Sequence, residues 1–174
     1  MKRFRKILLA LFVCSAIVAC KSDDDGGPDN NGGEGSFTAK VNNDSFTGIT
    51  GTVVAQLSGS GPGQTLAVSG GTNDSENLQV VIIGFDGPGT YPLNFTNIGT
   101  YSYLPDPSNP DPTTVVVYTT VGNAQGNNGE LNVSSFDGDN VQGTFSFTGF
   151  NLDDISDTVS ITEGTFDIKV TQQN

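Results

Sequence analysis

Histidine and tryptophan are absent from this chain of 174 residues, and it holds only two cysteines and one methionine. Positive charge is scarce as well: seven Lys and Arg face nineteen Asp and Glu, for a formal charge of −12. Each shortage closes a class of function. Without histidine there is no imidazole base and no Ser-His-Asp triad. Zinc, which takes His and Cys ligands, finds no set to hold it. Without a surplus of Lys and Arg little can neutralise phosphates, so nucleic acid is not an expected partner. The length fits one domain.

What is present begins with an address. Lys2, Arg3, Arg5 and Lys6 precede a thirteen-residue apolar run, Ile7 to Ala19. That run falls short of the ~20 residues of a membrane-spanning helix and has the pattern of a secretory signal peptide over 1–19. It ends in Ile17-Val18-Ala19-Cys20, which resembles a bacterial lipobox. The resemblance implies that Cys20 becomes the acylated first residue of the mature chain and ties it to the membrane through palmitate-type chains. Each buried CH₂ contributes about 0.8 kcal/mol, and two or more chains anchor stably where one does not. Cys14 leaves with the leader, so no disulfide is expected and the core alone must hold the fold. Lys21-Ser22-Asp23-Asp24-Asp25 resembles the surface-export signal of Bacteroidetes-type lipoproteins, which implies the outer membrane with the domain facing outward.

Residues 20–35 read as the lipidated Cys and a flexible acidic tether. From Lys21 to Gly35 there are five Gly, one Pro and no large apolar residue, so the segment cannot bury enough to fold. Its mean reach is roughly 20 Å. Loss of the leader leaves Lys21, Lys40 and Lys169 against nineteen acids, a formal charge of −16.

Residues 36–174 read as one all-β domain, an antiparallel β-sandwich or a meandering β-barrel. Phe37, Ala39 and Val41 alternate with polar neighbours, and so do Val141, Gly143, Phe145 and Phe147. Period two is the mark of a half-buried strand. Leu78–Phe85 and Val115–Tyr118 are apolar on both faces and predict central strands covered on both sides. Weaker strands are predicted at Thr52–Leu57, Thr65–Ser69, Tyr101–Leu104 and Leu131–Ser135. Val159 and Ile161 have one parity, Phe166, Ile168 and Val170 the other. A β-bulge at Glu163-Gly164 would absorb the difference. Gly-Thr-aromatic recurs at Gly89, Gly99, Gly143 and Gly164, at spacings of 10, 44 and 21. The spacing is irregular, so no solenoid or propeller is expected. These triplets predict strand starts or bulges, with Thr outward and the ring toward the core.

Three segments together resemble a family of small flavobacterial lipoproteins with an uncharacterised C-terminal β domain. They are Ser36–Asn42 just after the lipobox and tether, Val141–Phe147, and Thr162-Glu163-Gly164-Thr165-Phe166. The resemblance implies a compact β domain and no known activity. Asn43 stands where that family often carries Gly in the first turn.

Few constellations could carry chemistry. A Ser-Lys pair would need Lys40 or Lys169, both at outward strand positions. Carboxylate pairs, as in glycosidases, are offered by Asp137/Asp139 and Asp153/Asp154, in turns with no apolar wall to raise a pKa. Calcium prefers oxygen ligands, and Asp153, Asp154 and Asp157 are its candidates, although neither acidic turn matches an EF-hand. Tyr101 and Tyr103 share a strand face by parity, beside the proline-stiffened loop Leu104–Pro112, and could form a binding edge. Asp157-Thr158-Val159 resembles the acceptor of an envelope O-glycosylation system, with Thr158 carrying the glycan. The expectation is a lipid-anchored cell-surface protein, non-catalytic and without a resident cofactor, that binds or supports an envelope protein or glycan. The alternative is a glycan-binding or carboxylate-dependent hydrolase domain.

Overall fold

The computed structural model describes residues 35–123 and 126–173. The expected signal peptide, Cys20 and residues 20–34 of the tether lie outside the described residues. Those described are all-β, a single sheet of eleven strands. The strands are β1 (Gly35–Val41), β2 (Asp44–Thr47), β3 (Val54–Ser58), β4 (Thr65–Gly71), β5 (Glu76–Ile83), β6 (Gly89–Pro92), β7 (Ile98–Tyr103), β8 (Val116–Thr119), β9 (Gly129–Phe136), β10 (Asn140–Asn151) and β11 (Thr158–Gln173).

Two long strands organise the rest. β10 pairs with β11 along most of its length. The last residues of β11 then pair with β3, Val170 opposite Ala55, and this pair is parallel. From β3 the sheet runs antiparallel through β4, β5, β7 and β8. β8 returns to the end of β10, with Phe150 opposite Thr119. The ring β11–β3–β4–β5–β7–β8–β10 is therefore closed, a barrel of seven strands that leaves no edge within it. β1 and β2 extend the sheet beyond β11, and β9 and β6 extend it beyond β10. The free edges fall on β2 and β6, each four residues long, and β6 ends in Pro92. Short edges and proline both discourage pairing with another chain.

The bulge lies at Glu163-Gly164, where the parity break puts it. Phe145 stands opposite Gly164 but Phe147 opposite Ile161, so β11 has one residue too many. Glu163 takes it up with φ at +51°. The inward glycines of the Gly-Thr-aromatic triplets have a further use, which is space. A Cβ on Gly164 would lie 2.6 Å from Phe145 Cδ2, and one on Gly99 2.9 Å from Phe147 Cδ1. Phe166 likewise crowds Gly143, the residue opposite it on β10. Each ring thus lies flat over neighbouring backbone where any larger residue would collide. Gly143 and Gly164 adjoin bulges and Gly89 opens β6, whereas Gly99 lies inside β7. Thr38, Thr165 and Thr144 stand in one cross-strand row on the opposite, outer face.

The core is sealed by Phe37, Phe46, Leu57, Leu66, Leu78, Ile82, Leu131 and Ile168, each at most 1% exposed. Phe37 stacks on Phe145 with centroids 5.0 Å apart. One expectation needs correction: neither apolar run is covered on both sides. On β5, Leu78, Val80 and Ile82 are buried, but Val81 is half-buried and Ile83 is 54% exposed. Val115 to Tyr118 are all half-buried. Apolar side chains make up much of any protein surface, so a two-faced apolar run does not guarantee two covers.

The first turn settles on positive φ at Asn42 (+49°) and Asn43 (+75°). A two-residue hairpin of type I′ needs this twice, and Asn tolerates it nearly as Gly does. Asn43 therefore keeps the turn that glycine would give.

Candidate functional site

Side chains of different strands converge at one mouth of the barrel. Tyr101 and Tyr118 are direct cross-strand partners on β7 and β8. Tyr103 follows two residues on, hence on the same face, and stands opposite Glu76 at the start of β5. That face is the inner one, because Leu78, opposite Tyr101, belongs to the core. The Tyr101 ring lies 5.8 Å from that of Tyr103, tilted by 33°, and 6.3 Å from that of Tyr118, tilted by 35°. With Val41, Asn42 and Asp44 from the first turn, Glu76, and Val159 from β11, the tyrosines line a cleft of about 230 Å³. Mouths of β-barrels are recurrent ligand sites.

Hydrogen bonds fix this arrangement. The Tyr101 hydroxyl donates to Glu76 Oε1 at 2.6 Å, and Thr72 Oγ1 donates to Glu76 Oε2 at 3.2 Å. The Tyr118 hydroxyl donates to Asp157 Oδ2 at 2.9 Å, which also accepts from Asn151 Nδ2 at 3.0 Å. Burial, and then the bond to Glu76, pushes the Tyr101 hydroxyl well above the usual phenol range. Burial, then the bond to Asp157, pushes Tyr118 up to about 12. Both phenols stay neutral donors at physiological pH and hold carboxylates in place. The Tyr103 hydroxyl has no partner among the described residues.

Tyr101 and Tyr103 are thus brought together, but unequally. Tyr101 is 6% exposed and packed in the core, whereas Tyr103 is half-buried at the rim. The proline-rich loop beyond Leu104 is exposed and does not line the cleft. Tyr118, Glu76 and Asp44 escaped sequence reasoning. Tyr118 closes an apolar run and carries no signal of its own, and the carboxylates join the rings only through strand register.

The other candidates are dispersed. Asp153, Asp154 and Asp157 do not converge: among the described residues no three Asp, Glu, His or Cys side chains form a group able to hold a metal. Asp154 Oδ1 accepts from Ser156 Oγ at 2.6 Å and from its amide at 3.0 Å, Asp157 turns to Tyr118, and the Asp153 amide donates to Asn151 Oδ1. The bond from Ser156 holds Asp154 below the ordinary carboxylate range. Asp137 accepts from the Asn140 and Asp139 amides, which lower its pKa too. Both acids are turn-forming groups. Thr158 opens β11 opposite Phe150 and is exposed. Lys40 Nζ lies 2.8 Å from Glu163 Oε1 on the outer face, and Lys169 is exposed. A larger groove, about 410 Å³, runs over the bulge on that same outer face, between Glu130, Thr144, Ser146, Glu163 and Thr165. It gathers hydroxyls and carboxylates above Phe145, which is 3% exposed.

The family described as "Domain of unknown function (DUF6252)" matches residues 33–169, most of the chain. The chain belongs to that family. No curated protein matches it, and no solved structure does.

Proposed function

We propose that this family member is a lipid-anchored protein of the outer membrane, facing outward, whose β domain is a non-catalytic binding module working through the barrel mouth. The anchor rests on Ile17-Val18-Ala19-Cys20 and on the basic and apolar segments before it. The acidic tether after Cys20 favours the surface-exposed form. The binding role rests on one observation: three tyrosines and two carboxylates, Glu76 and Asp44, gather around one cleft. Support for a non-catalytic role comes from the turn carboxylates. A general acid at neutral pH needs a raised pKa, and those of Asp137 and Asp154 are lowered by donors of their own turns.

The test is fractionation of cells that make the full chain or Cys20→Ala. The full chain should sediment with outer membranes and be cut by protease added to intact cells; Cys20→Ala should be soluble. A Cys20→Ala variant that still sediments with membranes refutes the anchor. Hydrolysis of glycosides or esters, lost in Asp137→Asn with the fold intact, refutes the non-catalytic reading. Thr158, exposed at the start of β11, is the proposed glycan acceptor. A mass in Thr158→Ala that falls only by the Thr-to-Ala difference removes that assignment.

A further inference from the structure

We propose that the barrel mouth binds an organic cation: an alkylammonium head group seated against the Tyr103 and Tyr118 rings, with Glu76 and Asp44 as counter-charges. This deepens the reading of the mouth as a ligand site and rests on it.

The shape of the wall is the first argument. Successive rings tilt by 33° and 35°, so they are not coplanar. Flat sugar faces stack on a coplanar platform, whereas a compact cation is held by rings that turn around it, each offering the negative face of its π-system. Tyr101, 6% exposed, closes the back of the wall.

Charge is the second argument. Asp44 and Glu76 line the cleft, and Asp157 stands behind Tyr118. Among the described residues no Lys or Arg joins them. Lys40 is on the outer face of β1, next to inward-facing Val41, and is held by Glu163 at 2.8 Å. Lys169 stands opposite Asn140, at the far end of the β10–β11 pair from Thr158. A concavity lined by charge of one sign concentrates counter-ions from solution. Calcium is the poorer fit, since it takes about six to eight oxygens, and no three acidic side chains converge here.

Size is the third. At about 230 Å³ the cleft falls below the roughly 300–1,000 Å³ of sites for drug-sized molecules. It suits a head group with a few carbons. The Tyr103 hydroxyl and the outer rim are free to meet the rest of the ligand.

The test titrates the full chain, in a nonionic detergent, with choline, n-butylammonium, the neutral choline isostere 3,3-dimethylbutan-1-ol, and calcium chloride. Tyrosine fluorescence is the first readout, unobscured because tryptophan is absent. Amide shifts of Val41, Glu76 and Tyr103 locate the site. At least one ammonium should saturate, and the neutral isostere should bind about tenfold more weakly, a difference of ~1.4 kcal/mol. Choline or butylammonium as the tighter ligand tells a quaternary from a primary head group. Glu76→Gln should weaken ammonium binding about five- to tenfold and leave the alcohol unaffected. Tyr103→Leu should weaken it further, and Tyr103→Phe, which keeps the ring, should retain it. Equal binding of choline and its isostere, or no effect of Glu76→Gln, overturns the cation and leaves the mouth as a site for neutral ligands. A response to calcium alone overturns it as well. Silence from all four probes overturns both the cation and the mouth as a ligand site.

Discussion

Along β10 and β11 the inward phenylalanines lie over glycines of the neighbouring strand. Along β7 and β8 the inward tyrosines lie beside one another. Phe145 faces Gly164 and Phe166 faces Gly143, a reciprocal exchange across one strand pair. Tyr101 instead faces Tyr118, and Tyr103 faces Glu76 and Val116. Glycine lets a ring sink onto backbone until nothing of it is left to water: Phe145 and Phe166 are each 3% exposed. Where no glycine stands opposite, the rings prop each other up and leave a cleft. The Tyr101 and Tyr118 hydroxyls donate to carboxylates, and Tyr103 and Tyr118 keep part of their surface in solvent. The first arrangement stabilises the barrel; the second leaves it an opening.

Removing a ring from the first region tests this contrast most severely. Phe145→Ala deletes a side chain that stacks on Phe37 at 5.0 Å and covers Gly164. It should destabilise the domain by ~3–5 kcal/mol in denaturant titration. Tyr103→Ala should cost far less, because that ring is already half in water. Equal losses would erase the difference between the two regions.

The next largest effect comes from filling the space instead of emptying it. The backbone of Gly164 is one that alanine can adopt, so conformation is not the obstacle. A Cβ there would approach Phe145 O at 2.5 Å and the Phe145 ring at 2.6 Å. Gly164→Ala should lose ~1–3 kcal/mol through overpacking. Phe145→Ala/Gly164→Ala should lose less than the sum of the two single losses, since the collision with the ring is gone and only that with Phe145 O remains. Strict additivity would mean that the ring and the glycine do not interlock.

How much of this was legible in sequence follows from the range of each signal. The inward parity of Phe37, Ala39 and Val41, and of Val141, Phe145 and Phe147, is local and was readable. The break at Glu163-Gly164 was readable for the same reason, since a slip of one residue inverts every side chain after it. Closure through the parallel β11–β3 pair was not, because strand order leaves no local pattern. β2 was too short to show alternation. The mouth was half legible: Tyr101 and Tyr103 share parity, but Tyr118 comes to them through the β7–β8 register and Glu76 through the β5–β7 register. Glycines serving as seats for rings showed only as the recurrent Gly-Thr-aromatic triplet, whose meaning needed the strand opposite.

A third test addresses the mouth alone and uses pH. The Tyr118 phenol is raised in the folded protein from 10.0 to about 12. Between those values the native state keeps a proton that the unfolded chain has released. The stabilisation is complete below pH 10 and is lost as pH rises through about 12. Tyr118→Phe, which also removes the 2.9 Å bond to Asp157, should cost ~0.5–1.5 kcal/mol at neutral pH. It should also flatten the alkaline fall in stability. Asp157→Asn should move phenolate formation at Tyr118 to lower pH, followed by ultraviolet difference absorbance. The alkaline fall should persist unchanged in Gly164→Ala, whose site holds no phenol. An alkaline fall unaltered by Tyr118→Phe would place its origin outside this tyrosine.

The smallest effect should come from the outer face of the interlocked region. Lys40 and Glu163 form an ion pair at 2.8 Å across the bulge, with side chains 39% and 67% exposed. Exposed pairs of this kind contribute ~0–1 kcal/mol, less in salt. If the bulge is held from inside, by Phe145 over Gly164, then the pair decorates it without fixing it. Lys40→Ala should then lose at most ~1 kcal/mol, and added salt should shrink the loss. Glu163→Gly makes the same point from the backbone side. It removes the pair too, but glycine relieves the strain of a φ of +51°, so its stability should equal or exceed that of Lys40→Ala. A loss in Lys40→Ala as large as that in Gly164→Ala would reverse the account. The bulge would then be fixed by charge on the surface, and the glycine beneath it would follow from the bulge instead of causing it.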